Sequence, residues 1–210
     1  MDESDNEWDS VAAEWDQEAT QAYAAAAFGS LQAALERHTI ALAGARVVDF
    51  GAGTGLLTEP LVSQGAEVLA VDTSQAMLDV VERKIDERNW TGVTTATEIT
   101  DAIGPYDLIV CSSVCSFLDD YPAVAAQLVT LLRPGGLFIQ WDWELDEGEP
   151  DGHGLTRNGI HDALRAAGLE QIIVDTAFSV AVGDETMRPI MGSGMRSTNR
   201  SSDEPGSDRS

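Results

Sequence analysis

Residues 47–60 read VVDFGAGTGLLTEP, and no other stretch limits the fold of this chain so tightly. Val47, Val48 and Phe50 form the short apolar run of a strand covered on both faces. Gly51, Gly53 and Gly55 then let the backbone turn sharply and approach a ligand closely. A helix pattern follows at once, with its free N–H groups directed back at that ligand. Strand, glycine turn and helix in this order make a ligand cradle within a parallel sheet.

Spacing narrows the ligand. A dinucleotide fingerprint reads G-x-G-x-x-G, whereas here the third glycine comes one place early, which disfavours a pyrophosphate. Asp49, two residues before the first glycine, sets a carboxylate beside the loop; that suits an ammonium or sulfonium group and repels a diphosphate. A second apolar strand, Glu67 to Val71, runs into Asp72. An acid there, about 20 residues past the loop, can accept hydrogen bonds from both hydroxyls of a ribose.

These residues resemble the class I S-adenosylmethionine-dependent methyltransferases. VVDFGAGTG looks like the family's glycine motif and AVDTSQAML like its second strand and acid. YDLIV at 106–110 looks like the fourth strand, and LLRPGGLFIQWDW at 131–143 like the helix end, proline-glycine turn and fifth strand. Order and spacing fit from Arg46 to about Met191. The resemblance implies a single Rossmann-like α/β domain: a seven-stranded, mostly parallel sheet, antiparallel in its last strand, with helices on both faces.

It also implies S-adenosylmethionine as cofactor. Asp49 and the backbone of Gly51, Ala52 and Gly53 would hold the methionine portion, and Asp72 with Thr73 the ribose. Met77 would lie against the adenine or else serve as a core residue. Glu98 and Ile99 would meet the adenine, with Asp101 the alternative if the alignment slips by two residues. Ser112 and Val114 would line the cofactor and acceptor pocket, and the strand end bearing Trp141 and Trp143 would border the acceptor. The Asn/Asp-Pro-Pro-aromatic motif of amino-directed DNA and glutamine methyltransferases is absent from Cys111 to Val114. No catalytic triad is needed, because the sulfonium already carries an activated leaving group and the protein has to align the nucleophile and exclude water. A non-catalytic cofactor-binding regulatory module and a nicotinamide-dependent oxidoreductase are the alternatives.

Charge excludes other classes. Asp and Glu number 36 against 12 Lys and Arg, a net charge of −24, and Lys84 is the only lysine. With no basic patch, nucleic acid has little electrostatic footing, so a small-molecule acceptor is expected. The self-repulsion falls away when molar salt shortens the Debye length to about 3 Å, so the composition reads as adaptation to a saline cytoplasm. An ordinary acidic protein and an acidic surface that recruits a basic partner are the competing readings. No apolar run reaches the ~18 residues of a membrane span, and the N-terminus is acidic where a signal peptide is basic, so a soluble cytoplasmic protein is expected. Oligomeric state is left open.

The remaining candidates are weak. Cys111 and Cys115 are too few for a disulfide framework or a zinc site and read as reduced packing residues. DWELDEGEPD at 142–151 alternates acids, but its glycine is misplaced for a calcium loop. Of His38, His153 and His161, only His153 falls in a pocket-bordering loop, where a general-base role has no visible partner. No metal site is expected.

Helical spacing of Trp8, Val11, Ala12, Trp15, Ala19, Ala22, Tyr23 and Ala26 predicts an amphipathic N-terminal helix, and a second is predicted from about Ser30 to Leu42. Residues 1–45 thus form helices packing on or capping the core at 46–191, with the first helix a possible lid over the acceptor side. After a helix at 155–167, strand-like runs are predicted at 171–182 and 186–191. From Gly192 to Ser210 the chain is polar and aperiodic, which predicts a disordered tail.

Overall fold

The computed structural model describes residues 8–99, 104–145, 154–182 and 185–198. Helix α1 (Glu18–His38) precedes the alternating elements β1 (Arg46–Phe50), α2 (Thr58–Ser63), β2 (Glu67–Val71), α3 (Gln75–Arg88), β3 (Val93–Ala96), β4 (Tyr106–Ser112), α4 (Tyr121–Leu131), β5 (Leu132–Asp142) and α5 (Arg157–Ala166). β6 (Leu169–Thr176), β7 (Val180–Val182), β8 (Glu185–Met187) and β9 (Ile190–Arg196) follow. Seven strands form one sheet in the order β3-β2-β1-β4-β5-β9-β6. β1 to β5 pair in parallel, and β9 runs antiparallel to both β5 and β6. This is the Rossmann-like architecture expected from the sequence.

Alternation of side chains sends the apolar strands into two cores. Val48, Ile109 and Phe138 meet α4 and α5 on one face, while Val47, Leu108, Val110, Leu137 and Ile139 meet α1 on the other. With both faces covered, the polar groups that remain free lie at the carboxyl ends of the strands. There the chain leaves β1 on one side and β4 on the other, opening a crevice.

Three expectations are corrected. The N-terminal region is not one helix over Trp8–Ala26 and a second from Ser30: a helical turn at 8–11 and a 3-10 turn at Ala12–Glu14 lead into one 21-residue helix that passes through Gly29 and ends at Thr39, where φ is 56°. Gly29 lowers helix propensity by about 1 kcal/mol relative to alanine. Burial of Ala27, Leu31, Ala34 and Leu35 on the sheet outweighs that, because tertiary packing contributes most of a helix's stability. The predicted run at 171–182 divides into β6 and β7, and the run at 186–191 into β8 and β9; β7 and β8 form a separate hairpin.

The third correction concerns the end of the fold, since β9 continues through Gly192 to Arg196 and lies between β5 and β6. Residues 199–210 lie outside the described residues. Gly192 has no side chain because none fits: a Cβ there would stand 2.4 Å from Cγ2 of Ile160 on α5. A glycine-rich stretch that reads as a tail is therefore the place where α5 seats on the sheet. Gly192→Ala should destabilise the protein by about 1–3 kcal/mol, as overpacking does. Urea unfolding checks this, and a midpoint equal to wild type would contradict the packing.

Candidate functional site

The glycine loop is fastened on all sides by backbone hydrogen bonds. Gly51 N–H and Ala52 N–H donate to the carbonyl of Val71 at 2.8 and 2.9 Å, tying the loop to the end of β2. Gly51 has φ 73°, and a Cβ there would come within 2.6 Å of Val114 Cβ, so the β4 loop packs directly on it. Asp72 links this loop to the next element: Oδ2 accepts from Gly53 N–H at 2.8 Å and Oδ1 from Ser74 N–H at 2.9 Å. Ser74 in turn caps α3 by accepting from Met77 N–H at 3.1 Å. Helix α2 begins only at Thr58, so the N–H groups around the cradle belong to the loop and not to that helix.

Beneath the loop lies Asp49, 1% exposed. Its Oδ2 accepts from Thr58 Oγ1 at 2.6 Å, and Oδ1 has no hydrogen-bond partner among the described residues. Burial pushes its pKa up to about 6, with the Asp72 charge adding and the Thr58 hydroxyl opposing. Asp72 is also raised, first by burial and further by the Asp9 charge, against the N–H groups of Ser74 and Gly53. A buried carboxylate with an orphan oxygen is costly unless a cation or donor joins it. An ammonium or sulfonium ligand fits that donor set.

The other predicted residues divide. Ala52 is buried in the loop and Thr73 is exposed beside Asp72. Met77 is 2% exposed, enclosed as a core side chain. Glu98 is exposed, while Ile99 is half-buried and, like Val114, packs against the core. Asp101 and His153 lie outside the described residues. Ser112 ends β4, half-buried, and the next residue, Ser113, is left-handed at φ 55°. Ser113 Oγ donates to Tyr23 Oη at 2.9 Å, bringing α1 to the carboxyl end of β4. Burial raises the Tyr23 pKa, the Ser113 hydroxyl opposing it.

Tyr23 stands among aromatics, its ring centroid 5.7 Å from Trp143 and 5.3 Å from Phe178. Of the two tryptophans on the β5 end, Trp143 is the one at this aromatic group. Trp141 is fully buried on the α1 face, its Nε1 donating to Ser30 Oγ at 3.1 Å. Asp142, between them and fully buried, accepts from Ser116 N–H and Trp143 N–H at 3.2 Å each. Cys111 and Cys115 are free, buried thiols beside it.

Sequence reasoning named Trp8 and Trp15 in a covering N-terminal helix but missed the acids that fasten this segment to the loop. Asp9 Oδ1 accepts from Ser74 Oγ at 2.5 Å, and Asp16 Oδ1 accepts from Thr54 Oγ1. Trp15 Nε1 lies 3.6 Å from the position a Cβ would take on Gly53. The polar contacts of residues 8–16 thus fall on the glycine loop at Thr54 and on Ser74 at the start of α3. The one advance signal was Lys84, a solitary lysine. A cavity of about 490 Å³ lined by Phe28, Pro60, Lys84 and Arg88 lies beside the cradle, behind this contact.

The fold and the strand-end acids about a glycine loop define a Rossmann-like α/β domain with a candidate ligand site at the carboxyl ends of its strands. Comparison with known proteins agrees: residues 48–138 match the family model described as a methyltransferase domain. The ubiquinone biosynthesis O-methyltransferase of Mesorhizobium japonicum is 34% identical over 99 residues, covering 46% of this chain and 40% of that protein. Its counterpart in Acinetobacter baylyi is 27% identical over 107 residues, covering 49% and 45%. The chain thus spans less than half the length of these curated relatives. Magnesium protoporphyrin IX methyltransferase from Synechocystis PCC 6803, solved with bound S-adenosylmethionine, superposes with a TM-score of 0.66 at 20% identity, covering 85% of this chain and 81% of that one.

The Asp49 environment sets a pH signature. Its folded pKa of about 6 exceeds the ordinary 3.8, so its contribution to stability is fully present below pH 4 and is lost as pH rises through 6. Asp49→Asn removes that titration. The ligand-free variant should gain on wild type by up to about 3 kcal/mol between pH 4 and 7. Denaturation series at several pH values check this; a constant difference would contradict the buried charge.

Proposed function

We propose that this protein is an S-adenosylmethionine-dependent methyltransferase acting on a small-molecule acceptor. The observation that carries the reading is the pair of strand-end carboxylates, Asp49 beneath the glycine loop and Asp72 across it, with one oxygen of Asp49 unpartnered. The cofactor would supply a methyl group on a positively charged sulfur. Asp49 and the backbone of Gly51, Ala52 and Gly53 would bind its ammonium end, and Asp72, with Thr73 beside it, the ribose hydroxyls. Ile99 and Val114 offer apolar surface for the adenine; Met77 and Glu98, one enclosed and one exposed, support such a contact less well.

Rate enhancement in such a site comes from alignment and exclusion of water, since the leaving group is already activated. Carboxylates held near the ammonium and ribose ends bind the cofactor without overstabilising the sulfonium, whose charge disappears as the methyl leaves. Ser112, Tyr23 and Trp143 border the space across β4 and β5 where an acceptor would sit. The two O-methyltransferase relatives make a hydroxyl acceptor the first to test. The glycine spacing and Asp49 speak against a nicotinamide dinucleotide. The charge balance speaks against nucleic acid, and no described helix is long and apolar enough to cross a membrane.

S-adenosylhomocysteine should bind in the micromolar range by calorimetry and NADH should not. Asp72→Ala should weaken S-adenosylhomocysteine by about 1.5–3 kcal/mol, the loss expected for hydrogen bonds to a charged group. Unchanged affinity would remove Asp72 from the site.

We also infer that the acidic surface suits a saline cytoplasm. The 36 acids against 12 bases repel one another in dilute buffer, and added salt screens them. The melting temperature should rise as KCl increases from about 0.1 to 2 M. A flat or falling curve would reject this.

A further inference from the structure

Lys84 is the only lysine in the chain, and it is buried, 5% exposed. Its Nζ donates to the carbonyl of Thr54 at 2.8 Å and lies 2.7 Å from Asp16 Oδ2. The other oxygen of Asp16 accepts the Thr54 hydroxyl. Three groups therefore close on one another: an ammonium from α3, a carboxylate ahead of α1, and both polar groups of a residue lying between Gly53 and Gly55. Thr54 itself is 1% exposed, so the glycine loop is gripped from behind.

The segment that carries Asp16 touches both arms of the cradle. Trp15 lies over Gly53, whose N–H donates to Asp72. Asp9 accepts from Ser74 Oγ, and Ser74 N–H donates to the other oxygen of Asp72. Trp8 packs edge-on against Trp15 at 5.7 Å and against Phe117, beyond β4, at 5.3 Å. The one strong charge pair in this cover is asymmetric, the Lys84 side chain being 6% exposed and that of Asp16 34%. If residues 8–16 lift away, Asp16 returns to water and Lys84 keeps only the neutral Thr54 carbonyl as partner. Removing one partner of a buried pair leaves an uncompensated charge, so opening is opposed at Lys84, whose remaining contact is the carbonyl of Thr54.

We infer that Lys84 is a positioning residue for the cofactor loop: through Thr54 and Asp16 it couples closure of residues 8–16 to the shape of Gly51–Gly55 and thereby sets the rate of cofactor release. This rests on the reading of the cradle as an S-adenosylmethionine site. A fastening of the N-terminus alone would change stability and leave ligand kinetics untouched. The coupling places its effect on dissociation, because the contact has to break before ligand can leave.

The test is stopped-flow tryptophan fluorescence on the full-length chain, with Trp8 and Trp15 as reporters, following S-adenosylhomocysteine release after dilution. Lys84→Met and Asp16→Asn should each speed release by about tenfold or more, with the dissociation constant rising in step. The double variant should release no faster than the faster single variant, as expected for one shared interaction. Lys84→Arg should restore part of the wild-type rate. If Lys84→Met does not fold, Asp16→Asn, which keeps the ammonium on the Thr54 carbonyl, decides alone. Lowered melting temperature with unchanged release would overturn the proposal. A wild type that does not bind S-adenosylhomocysteine would remove the cradle reading together with this one, whereas binding with unchanged release removes this one alone.

Discussion

Asp72 accepts one hydrogen bond from the glycine loop and one from the entrance to α3, and through it β2, the loop and α3 become a single body. The geometry of the cradle follows from this sharing. Gly51 has to be glycine because Val114 fills the place of its Cβ, and that contact brings the β4 loop, with Ser112 and Ser113, against the same body. The carboxyl ends of β1, β2 and β4 are thereby locked into one surface.

That surface is electrostatically unfavourable while it holds no cation. Asp49 and Asp72 are both pushed above the usual carboxylate range, chiefly by burial, and each sits in a field of further acid. A core residue would not be chosen this way for stability. Strain of this sort collects at functional positions, where a ligand of complementary charge relieves it. The same acid excess covers the outside of the molecule, but there water and salt screen it, so surface and site use one composition under different dielectric conditions.

The cradle was legible because it is local. Val47 to Gly55 and Glu67 to Asp72 each carry their meaning within a few residues, and the apolar runs of β4 and β5 announce buried strands without reference to partners. Contacts made between distant residues were not legible. Asp16 meets Thr54 across 38 residues, Asp9 meets Ser74 across 65, and Ser113 meets Tyr23 across 90. The continuation of β9 beyond Met191 escaped notice because GSGMR carries no alternation. Its glycines answer to Ile160 and Leu169, side chains that no local pattern reveals. Met77 allowed two readings from its helical position, and only packing identifies it as enclosed.

The central claim is that the loop fastened by Asp72 is the ligand cradle. Hydrogen–deuterium exchange with and without saturating S-adenosylhomocysteine tests it most directly, because it reports ligand contact at every segment at once. The account predicts slower exchange confined to peptides spanning the Gly51–Gly55 loop, the Asp72–Met77 segment and the Ser112–Val114 loop. Protection elsewhere with these three segments unchanged, or no protection at a saturating concentration, would contradict it.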